Sequence, residues 1–323
     1  MSATWRSRLP SPTGATIDLE RQVTATPARS LTQRWVARHL PARAARAHKG
    51  DFGRLLVVAG STEYPGAAML TGLGAMRAGA GIVRVAVAES VAARLAGAVP
   101  ELTWMVLDEE APGLIAPSGW RHVTTEAAEY DAVVVGPGLG RQPATQRRTR
   151  NLVAGLRVPA VIDADGLNAL ADGRTWWTGL PGPLVLTPHP GEFGRLLRGE
   201  APPSDDDAAR SHAALDAAQR WRQVVVLKGA NTVVAGPDGQ LMRSNVSSPA
   251  LATAGSGDVL AGVIGAFLAG GLPPFIAAGC GVAVHGAAGL LAEDRIGRAG
   301  VMARDLATLI PVAIEQLRGD GSR

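Results

Sequence analysis

Short apolar runs, almost free of polar interruption, recur along the chain and alternate with longer Ala-rich stretches. The runs fall at 54–59, 81–87, 102–107, 132–135, 160–162, 184–186, 224–227 and 232–235. A strand with one wet face alternates apolar and polar residues; these do not, so they read as strands buried on both faces. The stretches at 31–40, 66–80, 90–98, 144–156, 205–221, 258–269, 274–293 and 303–317 read as helices. Pro41 stops the first of them, and Ser204 followed by acidic Asp205 to Asp207 is a strong helix start. Strands alternating with helices predict a mostly parallel sheet covered by helices, an α/β fold. No repeat period and no internal linker appear. The expected organisation is one domain at 31–318, between a flexible extension at 1–30 and a short tail at 319–323.

Composition sharpens this picture. Of 323 residues 46% are hydrophobic and 19% charged, which excludes a disordered chain. Aromatic content is only 4%, whereas Gly (40) and Pro (22) are abundant, so many tight turns follow. The net charge of +4 invites a nucleic-acid reading, but its distribution argues against one. Residues 1–50 hold nine basic and two acidic side chains, against 23 basic and 26 acidic in the rest. The body is slightly acidic, and the basic excess lacks interleaved aromatics, so no nucleic-acid partner is expected. Thirty of the basic residues are Arg; only Lys49 and Lys228 are Lys. The single cysteine, Cys280, excludes an internal disulfide and a cysteine-rich metal site, and fits the reducing cytoplasm. The first thirty residues lack the apolar core of a secretory signal, and the nearest membrane-like run, 259–272, is short and Gly-rich. Neither export nor a membrane role is expected.

In open α/β sheets ligands sit beyond the carboxyl ends of the strands. The segments there are rich in Gly. Gly66, Ala67 and Ala68 open a helix with small side chains and free amides. Gly136-Pro137-Gly138-Leu139-Gly140 follows a strand but lacks the spacing of a dinucleotide fingerprint. Asp163-Ala164-Asp165-Gly166-Leu167-Asn168 places carboxylates at a strand end, where a metal, hydroxyls or a helix cap would each use them. In Thr187-Pro188-His189-Pro190-Gly191-Glu192 two prolines fix the backbone around His189. Lys228-Gly229-Ala230-Asn231-Thr232 lies between two strands, as a hairpin turn or as a phosphate-binding turn. The most specific segment is Gly255-Ser256-Gly257-Asp258 at a helix start, a nest of N–H groups and a hydroxyl that suits an oxyanion. A carboxylate beside a phosphate is repelled by it, unless its task is to take the proton from the nucleophile attacking that phosphate.

In this order, and with His48-Lys49-Gly50-Asp51-Phe52-Gly53 ahead of them, these segments resemble the ADP-dependent NAD(P)H-hydrate dehydratase family, equivalent to the C-terminal domain of YjeF-type proteins, within the ribokinase-like superfamily. The resemblance covers about residues 31–318. It implies a three-layer α/β/α fold and a carbon–oxygen lyase that repairs the S epimer of hydrated NADH or NADPH, with ADP as co-substrate and Mg²⁺. By the same resemblance Asp258 is the base, and the amides of Gly255, Ser256 and Gly257 form the anion hole. Lys228, Gly229, Ala230, Asn231, Thr232 and Gly257 hold the nucleotide; Gly66, Ala67, Ala68, Gly138, Gly140, His189 and Asp258 line the hydrated-cofactor side. Glu192 stands where ribokinase-like kinases organise magnesium, although His189 replaces a common Asn. The fifty N-terminal residues do not amount to the epimerase domain fused in many relatives, so a separate NAD(P)H-hydrate epimerase is the expected partner. A homo-oligomer, such as a tetramer, is also expected. Two other readings remain: a ribokinase-like kinase of a vitamin-precursor alcohol, and a non-catalytic nucleotide sensor, against which Asp258 argues.

Overall fold

The structure is a computed structural model that describes residues 28–198 and 206–319. In chain order it holds β1 (Arg29–Ser30), α1 (Gln33–His39), β2 (Arg54–Val58), α2 (Pro65–Ala78), β3 (Ile82–Ala88), α3 (Glu89–Leu95) and β4 (Thr103–Leu107). A small hairpin, β5 (Glu109–Ala111) and β6 (Leu114–Ile115), and α4 (Pro117–Glu126) precede β7 (Ala132–Val135). The central units are α5 (Pro143–Gly155), β8 (Ala160–Ile162), α6 (Asp165–Ala171), β9 (Leu184–Leu186), α7 (Pro190–Leu196), α8 (Asp207–Trp221) and β10 (Val224–Leu227). The chain then runs through β11 (Val233–Ala235), β12 (Leu241–Arg243), α9 (Ser256–Ala269), α10 (Pro274–Arg295) and α11 (Ala303–Arg318).

Ten strands form one sheet in the order β1-β12-β11-β10-β9-β8-β7-β2-β3-β4. Only the β10/β11 and β11/β12 pairs are antiparallel; every other pair in this sheet is parallel. α2, α9, α10 and α11 pack together as one helical layer, while α4 to α8 form a second. Every residue of β7, β8, β9 and β10 is buried between these layers, the physical reason their sequences show no alternation. α2 and α9 approach so closely that a Cβ on Gly74 would lie 2.6 Å from Val259 O.

Two expectations change. Arg29 and Ser30, assigned to the extension, instead form the edge strand β1, in register with Met242 and Arg243 of β12. Residues 1–27 lie outside the described residues, as do Ser204 and Asp205 of the expected helix start; α8 is capped by Asp206, whose carboxylate accepts from the Ala209 N–H at 2.7 Å. Among the described residues, the helix long and apolar enough to cross a membrane is α10 and not 259–272; most of it is buried in the core.

Candidate active site

Successive strand exits are tied to one another by the sheet's last hydrogen bonds. Gly136 N–H donates to Val58 O, Asp163 N–H to Val135 O, Thr187 N–H to Ile162 O and Lys228 N–H to Pro188 O. The turns after β2, β7, β8, β9 and β10 are thereby lined up along one edge, facing the start of α9. Gly136 is needed there: its φ is +128°, and a Cβ would lie 1.9 Å from Asp163 O.

Lys228 is the centre of the polar cluster. Its Nζ lies 2.7 Å from Asp163 Oδ1 and 3.8 Å from Glu192 Oε2. The Thr187 hydroxyl donates to the same Asp163 oxygen at 2.8 Å. Burial works against the Lys228 ammonium, but Asp163 and Glu192 outweigh it and hold its pKa above the ordinary lysine value. Burial likewise pushes the Glu192 carboxyl up, against the pull of Lys228. Asp258, in the first turn of α9, is raised to about 7, by burial first and then by the charge of Asp163, with Lys228 opposing both. A carboxylate with a pKa near neutrality can accept a proton and release it again.

The start of α9 is built for an anion. Gly255, at φ +87°, is the residue before the helix, and no side chain caps the turn. The Ser256 N–H, expected in the anion hole, donates instead to Thr253 O at 3.1 Å. The residue therefore offers its hydroxyl there, not its amide. Among the described residues the N–H groups of Gly255, Gly257 and Asp258 have no acceptor. Gly257 sits against the lysine, since a Cβ on it would lie 3.3 Å from Lys228 Nζ. Beside it opens a cavity of about 500 Å³ lined by Lys228, Gly229, Ala230, Thr232, Ser256, Gly257 and the 246–253 segment. Asn231 is not among its lining residues. Asn231 Nδ2 donates to Asp207 at 3.1 Å and its φ is +54°, so its side chain holds the turn to α8.

Gly138 packs on the start of α2: a Cβ on it would lie 2.7 Å from that of Ala67. The Gly60 N–H donates to Pro137 O at 2.7 Å, joining the two turns. Gly66 and Ala68 follow as the first turn of α2. The Gly140 N–H is taken by Asp165 at 2.9 Å, and Gly140 borders a second cavity of about 310 Å³ with Ser61, Glu63 and Arg141. His189 caps α7: its Nδ1 accepts from the Gly191 N–H at 3.0 Å while Glu192 accepts from the His189 N–H at 2.8 Å. Its ring stays half exposed, and burial followed by the charges of Lys228 and Arg195 lowers its pKa.

Three residues at this site had been given no role from sequence. Asp163 is in a segment marked for its carboxylates, but three uses competed locally. Arg210 of α8 donates to Leu227 O at 3.3 Å and Lys228 O at 3.1 Å, supporting the turn that follows β10. His285 lies in mid α10 and lines the larger cavity; a histidine inside so apolar a helix was its only signal.

The mostly parallel sheet, the Gly-rich turns along its carboxyl edge and the start of α9 with its unpaired amides and carboxylate define a ribokinase-like α/β fold with one polar site at that edge. The NAD(P)H-hydrate dehydratase family model matches residues 55–312, and the chain belongs to that family. It is 43% identical over 289 residues to the bifunctional NAD(P)H-hydrate repair enzyme Nnr of Moorella thermoacetica, covering 90% of this chain and 54% of the relative. The chain thus spans about half the length of the first curated relatives it matches. It is 39% identical over 273 residues to the ADP-dependent (S)-NAD(P)H-hydrate dehydratase of Xanthomonas campestris, covering 83% of this chain and 90% of that one. Among solved structures it is similar to the ADP/ATP-dependent NAD(P)H-hydrate dehydratase of Bacillus subtilis co-crystallized with ATP/Mg²⁺. That match has a TM-score of 0.78 and 33% identity, over 91% of this chain and all of the other.

Proposed function

We propose that this protein dehydrates the S epimer of hydrated NADH or NADPH, using ADP to turn the ring hydroxyl into a phosphate ester that is then eliminated. The observation that carries the reading is Asp258, a proton acceptor with its pKa raised to about 7, placed among unpaired amides at the start of α9. The nucleotide occupies the cavity of about 500 Å³ beside Lys228 to Thr232 and Gly257, with its terminal phosphate against α9. The hydrated ring lies on the side of Gly66 to Ala68, Gly138, Gly140 and His189. Asp258 takes the hydroxyl proton as the oxygen attacks phosphorus and the bridging P–O bond breaks, releasing AMP. The ring nitrogen's lone pair then expels phosphate, and loss of a proton from the adjacent ring carbon restores the reduced nicotinamide. Unpaired amides aimed at the phosphoryl oxygens stabilise the charge that builds there.

Among the described residues no three His, Cys, Asp or Glu side chains form a metal cluster. Mg²⁺ needs no such cluster: it keeps several waters and takes one or two carboxylates together with substrate phosphates. Glu192, with Asp163 beside it, would hold the ion, whose contribution is to neutralise phosphate charge. The same reading carries a homo-oligomer, such as a tetramer, an epimerase as functional partner, and a cytoplasmic location.

The test is to mix the protein with chemically hydrated NADH, Mg²⁺ and either ADP or ATP, and to follow the absorbance of reduced nicotinamide. Recovery with ADP is expected. No recovery with either nucleotide overturns the dehydratase reading, and a stable phosphorylated product indicates a kinase.

A further inference from the structure

His285 is buried, and its Nε2 lies 3.0 Å from the Ser256 carbonyl oxygen and 3.1 Å from the Ser256 hydroxyl oxygen. A carbonyl only accepts, so the network assigns the proton of this imidazole to Nε2. With that proton directed at Ser256, the hydroxyl oxygen faces a donor, and its own hydrogen has no acceptor on the His285 side. It must point elsewhere. Ser256 is itself buried, its amide is spent on Thr253 O, and both it and His285 line the cavity beside Lys228. The imidazole therefore performs two tasks at once. It satisfies the Ser256 carbonyl at the first residue of α9, and it turns the hydroxyl into a donor toward the cavity.

We propose that His285 is a positioning residue for phosphoryl transfer: it acts through Ser256, orienting that hydroxyl as a hydrogen-bond donor to the phosphoryl group held at the start of α9. Burial holds the imidazole at a pKa of about 4, so it stays neutral and keeps one fixed tautomer through the working pH range. The role is distinct from that of Asp258: His285 handles no reaction proton, and its effect vanishes when the Ser256 hydroxyl is removed.

This inference rests on the proposed reaction for its rate readout, so the experiment pairs turnover with binding. Ser256→Ala is expected to lower kcat about 10²-fold, in line with loss of one oxyanion donor. His285→Phe keeps the volume but lacks the N–H, and is expected to lower kcat about 10-fold while the KM for ADP changes less than about 3-fold. The double variant should match Ser256→Ala within about twofold, because both changes disable one donor. His285→Gln, which restores an N–H at the same reach, should recover most of the rate. Losses that multiply in the double variant, or an undiminished rate in Ser256→Ala, overturn the proposal. Should His285→Phe fail to fold, Ser256→Ala and His285→Gln decide between them. A loss in the first with near wild-type turnover in the second supports the proposal, and full turnover in the first overturns it. The ratio of ADP to AMP affinity, measured by calorimetry, reads the same donor without turnover. It should fall about twofold in Ser256→Ala and His285→Phe alike. If the wild-type protein regenerates no reduced nicotinamide, the reaction assigned above fails while this ratio still tests His285; an unchanged ratio in both variants counts against it.

Discussion

Asp258 pays for its chemistry in stability. Its pKa is raised from 3.8 to about 7, so between those pH values the fold binds a proton that the unfolded chain has released. The stability it contributes is present at low pH and is lost as pH rises through that window. Asp258→Asn removes the buried charge beside Asp163 and Glu192. Above pH 7 it should therefore unfold about 1–2 kcal/mol less readily than wild type, discounted for the group's partial exposure, and near pH 4 the two should melt together. The same variant should lose about 10²–10⁴ in kcat while still binding ADP, as expected for a positioned base. In the wild type, kcat/KM should fall tenfold per pH unit below about 7, where Asp258 is protonated. A pH profile and thermal melts at pH 4 and 8 check both signs; wild-type turnover in Asp258→Asn removes this residue from the mechanism. Much of this was legible in advance, because Gly255-Ser256-Gly257-Asp258 is a local motif. His285, Arg210 and the pairing of Asp163 with Lys228 were not, since each depends on a partner at least 17 positions away.

At the scale of elements, the turns at the carboxyl edge act as one unit because each donates to the strand beside it. Gly136→Ala tests that unity. The backbone is at φ +128° and a Cβ would overlap Asp163 O, so relief requires shifting the turn that presents Asp163 to Lys228. The expected cost is about 2–4 kcal/mol of stability together with weaker ADP binding, measured by denaturant unfolding and calorimetry. A variant that keeps both would mean the turns move independently. The legibility of elements follows the same physics. β7, β8, β9 and β10 were read to the residue, because a strand buried on both faces leaves an uninterrupted apolar run. β1 is two exposed residues and β12 is three, of which only Leu241 and Met242 are apolar, too short a run to read as a strand; pairing makes them strands. α6 and α7 are seven residues each and begin inside the site motifs, where Asp165 and the His189–Pro190 pair read as turn chemistry. The fold class needed only the buried strands, whereas the sheet's outer edge and the short helices needed tertiary contacts.

Across the whole molecule, charge is arranged by position. The acidic body holds a single lysine, Lys228, at the site; the other, Lys49, lies in the basic segment, in a 3-10 turn ahead of β2. Asp163, Glu192 and Asp258 surround Lys228 with more negative than positive charge, which on its own disfavours an anionic nucleotide. Binding must therefore come from the α9 amides and from a cation brought with the phosphates. This gives a prediction about the protein as a whole. ADP with Mg²⁺ at a hundred times its Kd should stabilise the fold by about 2.7 kcal/mol through linkage. That is a rise of about 4–5 °C in Tm for a domain of this size. Chelating Mg²⁺ with EDTA at constant ADP should remove most of the shift, and Lys228→Ala should shrink it even with Mg²⁺ present. A shift that survives EDTA in full would mean that the α9 amides and Lys228 alone outweigh the three carboxylates, and Glu192 would then have no ion to hold.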